Sequence, residues 1–238
     1  MSVRGLAAGA LLAVSLNGFA ATFGLTPMRV ELSANSPTAV VTVNNSGDAP
    51  LTVQVQAYTW SQPAGSDVYE ETRAFIVSPP IFTIAAGGAQ IVRVAMRGTP
   101  PKDIEQSYRL IFREVPPTEE KGTDGALFHI ALNMNIPMYV AAVGGTTAPK
   151  ASFAFDAGAG GPPRLRIANE GTSNLRLADL AITQGPEKLA SEEVYVVLPG
   201  ATRFVALPKD RLHVGTPIRV VAQSNAGRID VAVPVAAP

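Results

Sequence analysis

Short runs of apolar residues, separated by turn residues, make up most of the chain. The turns recur about every 8 to 15 residues, a spacing typical of β-sandwich proteins, and no stretch longer than about two turns has a convincing 3.6-residue period. In the first part of the chain the pattern predicts seven strands: Leu25–Ser33, Thr38–Asn45, Leu51–Ser61, Val68–Val77, Ala89–Arg97, Gln106–Glu114 and Leu127–Val143. Seven is the number of strands in one immunoglobulin-like sandwich.

A second group of strands follows a short segment of small and polar residues that ends in proline. This segment, residues 144–149, has the composition of a linker. Beyond it the pattern predicts seven further strands: Ala151–Phe155, Arg164–Ala168, Leu175–Thr183, Glu193–Leu198, Thr202–Ala206, Ile218–Gln223 and Ile229–Val235. We therefore expect an all-β chain with one sandwich over residues 21–143 and a second over residues 150–238.

The first 20 residues have the three parts of a secretory signal peptide. Arg4 supplies the positive start, Leu6–Leu16 forms an apolar stretch too short to span a bilayer, and residues 18–20 (Gly-Phe-Ala) form a small-x-small cleavage site. The alternative is an N-terminal helix buried in the folded protein. The signal-peptide interpretation predicts a mature chain that begins at Ala21 and is secreted or periplasmic.

Composition and charge exclude several classes of partner and chemistry. The chain carries 19 basic and 19 acidic residues, and a neutral chain has no broad electrostatic field to attract nucleic acid or anionic lipid. With no Cys and two His, disulfides, thiol catalysis, thiolate metal sites and His-rich metal sites are excluded. Beyond the first 20 residues no segment reaches membrane-spanning length. We therefore expect no nucleic acid partner, no membrane insertion and no metal site.

Catalytic motifs are not found in the sequence. There is no Gly-x-Ser-x-Gly elbow, and neither His129 nor His213 has a visibly paired nucleophile. The adjacent carboxylates at 119–120 and 192–193 make poor acid–base pairs, because neighbours in a strand point to opposite faces. We therefore predict no catalytic residues, with an exported enzyme that uses an unrecognised site as an alternative.

The long predicted strand over residues 127–140 is the most informative segment. Its even positions are all large and apolar, whereas its odd positions from 129 to 135 are His, Ala, Asn and Asn. For Ile136 and Met138 we expect ordinary packing inside the sandwich. For Phe128 to Met134 there are two interpretations: the same packing inside the sandwich, or an exposed edge that pairs with another chain. An apolar edge strand exposes unpaired backbone groups, which another chain can use for pairing.

Four local motifs resemble those of the PapD-like pilus chaperones, the periplasmic chaperones of the chaperone–usher pathway. They run in the family's order along the first domain: Met28-Arg29-Val30-Glu31-Leu32, residues 77–87 followed by Ile91-Val92-Arg93, Phe112-Arg113-Glu114-Val115-Pro116-Pro117, and the alternating strand at 127–140. Ser107-Tyr108-Arg109-Leu110 and the proline of the last strand are most similar to the archaic branch, which assembles thin pili of the Csu type. The second domain is similar only in size and β character.

The resemblance implies two immunoglobulin-like β-sandwich domains in an L-shaped (boomerang) arrangement. A chaperone of this kind binds a pilus subunit that lacks its final strand and supplies its own, which is called donor-strand complementation. Phe128, Ile130, Leu132 and Met134 would fill the subunit groove. The implied partners are pilus subunits and an outer-membrane usher, the implied location is the Gram-negative periplasm, and no cofactor is required.

The resemblance also implies that the subunit's C-terminal carboxylate is held between the two domains. Arg29 matches the family's first-strand arginine, whose planar fork suits a carboxylate. The family's lysine on the last strand aligns with Pro137, so we expect Arg109 on the neighbouring strand to replace it, with an ordinary surface cation as the alternative. Arg93 and Glu114 match family residues that form a structural ion pair.

One other class of function is compatible with the same sequence. A secreted or periplasmic two-domain adhesin, or another binding module, would also be an all-β chain without catalytic motifs. An exposed apolar strand further favours self-association of the free protein, because such a surface is costly in water.

Overall fold

The structure of the protein, a computed structural model, describes residues 23–116, 131–145, 147–158 and 161–236. Residues 23–140 contain ten strands: β1 (Phe23–Thr26), β2 (Val30–Leu32), β3 (Thr38–Asn45), β4 (Leu51–Ser61), β5 (Val68–Glu71), β6 (Phe75–Ser78), β7 (Ile81–Ile84), β8 (Ala89–Met96), β9 (Gln106–Glu114) and β10 (Asn133–Val140). A short 3-10 helix, Pro63–Gly65, lies between β4 and β5.

These ten strands form the two layers of the first sandwich. One sheet has the order β1–β3–β8–β6, and the other has the order β2–β10–β9–β4–β5, with β7 also paired to β4. Alternate side chains of each sheet meet in one apolar core, in which Val41, Val92, Leu110, Phe112 and Ile136 are completely buried. The period-2 pattern of the sequence therefore corresponds to inward and outward faces, as expected for a half-buried sheet.

The second sandwich contains seven strands, as predicted. They are β11 (Ala151–Asp156), β12 (Arg164–Asn169), β13 (Leu175–Gln184), β14 (Glu187–Val197), β15 (Thr202–Ala206), β16 (Ile218–Ser224) and β17 (Gly227–Val233), with a 3-10 helix at Lys209–Arg211. The sheets have the orders β11–β12–β15 and β14–β13–β16–β17. A separate core fills the space between them, with Leu165, Ile167, Leu177, Ile182 and Val220 completely buried.

Two of the strands predicted for the first sandwich are each divided in the structure. The predicted strand at 25–33 becomes β1 and β2, which lie in opposite sheets. Pro27, which follows β1, has no N–H to donate to a ladder, and the chain bends over residues 27–29. The predicted strand at 68–77 becomes β5 and β6, so that the chain again changes sheets. Residues 1–22, which include the predicted signal peptide, lie outside the described residues.

The described residues contain no helix that is both long and apolar enough to cross a membrane. Every strand pair in the structure joins strands of the same sandwich. The two sandwiches contact each other through loops, through the ends of β4 and β9, and through the end of β14. That contact forms one wall of the site described next.

Candidate functional site

Strand β10 has an open edge over its first five residues. On one side it pairs with β9 along its whole length, from Asn133 opposite Arg113 to Val140 opposite Gln106. On the other side β2 covers only Met138–Val140, and no other strand among the described residues pairs with β10. The open edge is therefore residues 133–137 of β10, and we keep that name for it.

The direction of the backbone groups on the open edge follows from one hydrogen bond. The N–H of Glu114 donates to the carbonyl of Leu132 (2.9 Å), so Leu132 points its backbone toward β9. Since backbone groups alternate along an antiparallel strand, those of Asn133 and Asn135 point to the open edge. The backbone of Pro137 also points to the open edge. Its missing N–H therefore removes no hydrogen bond between β10 and β9.

The apolar face of β10 divides into two halves. Ile136 and Met138 are completely buried, which confirms the expectation that they pack inside the sandwich. Leu132 and Met134 are only partly buried and pack against the margin of the first core. The predicted donor residues Phe128 and Ile130 lie outside the described residues. Leu132 and Met134 therefore offer apolar surface beside the open edge, and their role as donor residues stays a prediction.

A cleft with a volume of about 590 Å³ lies between the two domains and close to the open edge. Four of its lining residues are arginines, two from each domain, and one is an acid. The lining residues are Pro27, Met28, Arg29, Trp60, Asp67, Arg109, Pro137, Tyr139, Arg176, Val196 and Arg203. The structure therefore brings the two predicted anchor residues, Arg29 and Arg109, into one cleft.

Strand register explains why these two arginines meet. Pro137 of β10 lies opposite Arg109 of β9, and Met138 lies opposite Val30, which places Arg29 beside Pro137 at the start of β2. Side chains that lie opposite each other share a face of the sheet, and this face is directed away from the first core. Because β10 lies between β2 and β9, Pro137 lies between Arg29 and Arg109.

Arg109 is held against an aromatic ring. Its Cζ atom lies 3.6 Å from the ring centroid of Trp60 and 5.9 Å from that of Tyr69, distances at which a cation is attracted by the ring. Its Nε is buried and has no hydrogen-bond partner among the described residues. Arg109 is half-buried, and its role as a carboxylate anchor stays a prediction.

Arg29 has partners within its own domain. Its guanidinium forms an ion pair with Glu31, and its Cζ lies 5.7 Å from the ring centroid of Tyr139. Tyr139 is buried, and this burial raises the pKa of its hydroxyl to about 12, so the ring stays neutral beside the arginines. Since 40% of the Arg29 side chain is exposed, it is accessible to a ligand in the cleft.

Trp60 connects the cleft to the contact between the domains. Its indole N–H donates to Asp67 (2.9 Å), and Asp67 accepts from Arg203 of the second domain (3.3 Å). The Trp60 ring also packs in a small apolar cluster with Tyr139 and Leu198. Burial acts to raise the pKa of Asp67, but hydrogen bonds from Gln62 and Trp60 and the charge of Arg203 lower it overall.

Two further polar contacts join the domains. Buried Gln62 donates to the carbonyl of Val196 (3.0 Å) and accepts from the N–H of Leu198 (2.9 Å). Glu105 accepts from both the backbone and the side-chain N–H groups of Asn174, each at 2.9 Å. These contacts replace hydration of buried polar groups with paired hydrogen bonds, so they fix the two walls of the cleft relative to each other.

Gly65 lets the first domain approach the second closely. Its φ of +85° lies in the region that favours glycine, and a Cβ at this position would lie 2.9 Å from the Phe204 ring. Sequence reasoning passed over this glycine and also Trp60, Gln62 and Asp67. The chain has a single Trp, near the end of a predicted strand, and polar residues follow it within seven positions. This combination is the one sequence signal that could have indicated these residues.

The structural ion pair predicted for Arg93 and Glu114 is not among the ion pairs of the described residues, and it stays a prediction. Arg93 lies in β8 of one sheet and Glu114 in β9 of the other. Arg93 alternates with the buried residues Val92 and Val94 and is exposed on the outer face of its sheet. Glu114 accepts from the backbone N–H of Leu132 (2.9 Å) and so helps to hold the beginning of β10.

Comparison with known families places this architecture. Residues 22–141 match the family described as pili and flagellar-assembly chaperone, PapD N-terminal domain. The chain belongs to this chaperone family. The family's role is assembly of other proteins rather than catalysis. The sequence of this chain is also 34% identical over 124 residues to the chaperone protein FimB/FhaD of Bordetella pertussis. The aligned region covers 49% of this chain and 50% of that protein. The chain thus spans about half the length of this relative.

Solved structures show the same fold over both domains. A chain from the CsuC–CsuE chaperone–tip adhesion subunit pre-assembly complex of archaic Csu pili, from Acinetobacter baumannii, has a TM-score of 0.69 with 22% identity, covering 91% of this chain and 100% of that chain. The complex of SafA pilin with the SafB chaperone from Salmonella enterica has a TM-score of 0.63 with 19% identity, covering 89% and 96%. The E. coli chaperone DraB has a TM-score of 0.62 with 18% identity, covering 89% and 96%. The all-β, two-sandwich fold is therefore confirmed.

Proposed function

We propose that this chaperone acts in the periplasm, where it binds and stabilises pilus subunits by donor-strand complementation and delivers them to an outer-membrane usher. One observation carries the proposal: the open edge of β10 runs directly into a cleft lined by arginines. A subunit strand paired along the edge would bring its own end to the cleft. Two of the similar solved structures are of chaperones in complex with a tip adhesion subunit and with a pilin, which supports the proposal.

Backbone pairing supplies the first part of the binding energy. The groups of Asn133 and Asn135 point to the open edge, so an incoming strand of the subunit can continue the ladder that β9 begins. Main-chain bonds of this kind give affinity without depending on the partner's sequence, whereas side chains in pockets give specificity. A chaperone for several subunits of one pilus needs this combination.

Apolar burial supplies the second part. A fully buried Leu or Met side chain contributes about 1.5–3 kcal/mol relative to an exposed one. Leu132 and Met134 are already half-buried in the free protein, so each gains about half of that amount on entering a subunit groove. Phe128 and Ile130 continue the same alternating stripe in the sequence, and the proposal assigns them to the same groove.

The arginine pair supplies the third part. A terminal carboxylate between Arg29 and Arg109 would accept charge-assisted hydrogen bonds from their guanidinium groups. Bonds of this type are about twice as strong as those between neutral groups. They also set register, because a strand whose end is fixed in the cleft can pair with the open edge in only one alignment.

Export of the chain is part of the proposal. The signal-peptide pattern of residues 1–20 supports cleavage before Ala21 and release into the periplasm, where subunits emerge before they reach the usher. The absence of Cys means that the fold needs no disulfide formation in that compartment. N-terminal sequencing of the protein recovered from a periplasmic extract tests this step: a mature chain that begins at Ala21 is expected, and an intact Met1 would contradict it.

Co-expression with pilus subunits encoded beside an usher gene tests capture. Each subunit is recovered with tagged chaperone carrying Arg29→Ala, Leu132→Asp or the matched control Asn133→Asp, whose side chain lies on the opposite face of the chain. We expect the first two variants to remain folded and to lose the soluble subunit complex. The control should retain it. Normal recovery with Arg29→Ala would refute the carboxylate site, and equal losses of recovery and melting temperature with Leu132→Asp would identify an ordinary core residue.

A further inference from the structure

The charges of the cleft are not balanced within the protein. Arg29 is paired with Glu31, and Arg203 is paired with Asp67. Arg109 and Arg176 form no ion pair with any described residue, although both line the cleft. A single terminal carboxylate, as the proposed function requires, would compensate Arg109 and leave Arg176 with its full charge.

Arg176 is positioned by the contact between the domains. It follows Leu175 and precedes Leu177, both buried in the second core, so alternation along β13 turns its side chain outward. Two residues before it, Asn174 donates twice to Glu105 of the first domain. Its own N–H donates to the side chain of Asn225 (2.9 Å). The backbone at Arg176 is therefore fixed relative to the opposite wall of the cleft.

Arg109 and Arg176 line the same cleft as Tyr139, one from each domain. The charges of both act to lower the pKa of this tyrosine, against the larger effect of burial. The cleft volume of about 590 Å³ is in the range of pockets that enclose whole ligands, roughly 300–1,000 Å³. The cleft is thus large enough to hold several residues of a chain end, and not only its terminal carboxylate.

We propose that the cleft is a two-anion site, in which Arg176 holds an acidic side chain from the last three residues of the subunit while Arg109 and Arg29 hold its terminal carboxylate. Three residues of extended chain reach about 10 Å, so a terminal carboxylate and a nearby acidic side chain can reach different cations of one cleft. The inference rests on the proposed function and deepens it. The second domain would then select among subunits by the charge of their C-terminal ends.

Two synthetic tripeptides test the proposal by NMR: acetyl-Ala-Glu-Ala and acetyl-Ala-Gln-Ala, each with a free C-terminal carboxylate. The side-chain Nε–H resonances of Arg109 and Arg176 report on the two halves of the site. For the native protein we expect the Glu peptide to bind about fivefold more tightly, the effect of one partly exposed charge pair. Arg176→Gln should remove this advantage without changing the affinity for the Gln peptide, and Arg176→Lys should restore most of it.

Arg97→Gln is the matched control, because Arg97 is an exposed arginine that does not line the cleft; it should leave the fivefold advantage unchanged. Equal affinities for the two peptides, no binding of either at millimolar concentration, or an advantage that survives Arg176→Gln would overturn the two-anion site. The amide form of the Gln peptide separates this result from the proposed function. If the amide binds as well as the free acid, the terminal carboxylate site fails, whatever the behaviour of Arg176.

Discussion

The two halves of the β10 apolar face should respond in opposite ways to truncation. Ile136 is completely buried, so Ile136→Ala should cost about 2–5 kcal/mol of folding free energy. For a chain of this length that corresponds to a melting temperature lower by about 4–20 °C. Met134 is half-buried at the margin of the core, so Met134→Ala should cost only about 1 kcal/mol and about 2–4 °C.

Subunit affinity should show the reverse order. Met134→Ala removes a side chain that is proposed to fill a subunit pocket, and the lost burial of about 0.75–1.5 kcal/mol corresponds to roughly four- to twelvefold weaker binding. Ile136→Ala leaves the donor surface intact and should bind normally below its melting temperature. The assay pairs thermal melts with subunit binding to immobilised chaperone at 25 °C. A Met134→Ala variant that melts as low as Ile136→Ala and binds the subunit normally would refute this division.

Two further predictions concern the contact between the domains. The melting temperature of the native protein should exceed that of Asp67→Asn by a constant amount near neutral pH. The pKa of the Asp67 carboxyl is lowered from its usual value of 3.8 in the folded protein. Its ionised form therefore stabilises the fold at pH values above 3.8, and this stabilisation is lost as the pH falls through the lowered pKa. Calorimetry that found a difference growing on acidification would contradict this. Gln62→Ala should destabilise the protein by several kcal/mol, because it leaves Val196 and Leu198 with unpaired buried groups at about 1–3 kcal/mol each. Gln54→Ala is the matched control, because Gln54 is an exposed residue of β4, the strand that ends just before Gln62. It should melt normally, and equal melting of both variants would show that Gln62 does not join the domains.

Local periodicity was sufficient to predict the two sandwiches and most of their strands. Alternation over residues 106–114 and 127–143 predicted the strands that contain β9 and β10, because each has one face in the core. The same alternation correctly placed Ile136 and Met138 inside. Prediction failed where the chain changes sheets, at Pro27 and between β5 and β6, because alternation alone does not show which sheet receives the next residue.

Family motifs identified one wall of the cleft, whereas the other wall follows from contacts between residues far apart in the chain. Arg29 and Arg109 were expected because they match, or replace, known positions in a related first domain. Arg203 meets Asp67 across 136 positions of sequence, and no local pattern indicates such a contact. The Arg93–Glu114 pair also came from a family match and stays a prediction, with its two residues on different sheets.

The central claim is that a subunit strand pairs with the open edge of β10. Amide hydrogen exchange measured by NMR tests it directly, since the N–H groups of Asn133 and Asn135 point to that edge while those of Met134 and Ile136 point to β9. In the free chaperone we expect fast exchange at Asn133 and Asn135 and slow exchange at the other two. In the subunit complex all four should exchange slowly. Asn133 and Asn135 amides that still exchange fast in a stable complex would contradict strand pairing at this edge.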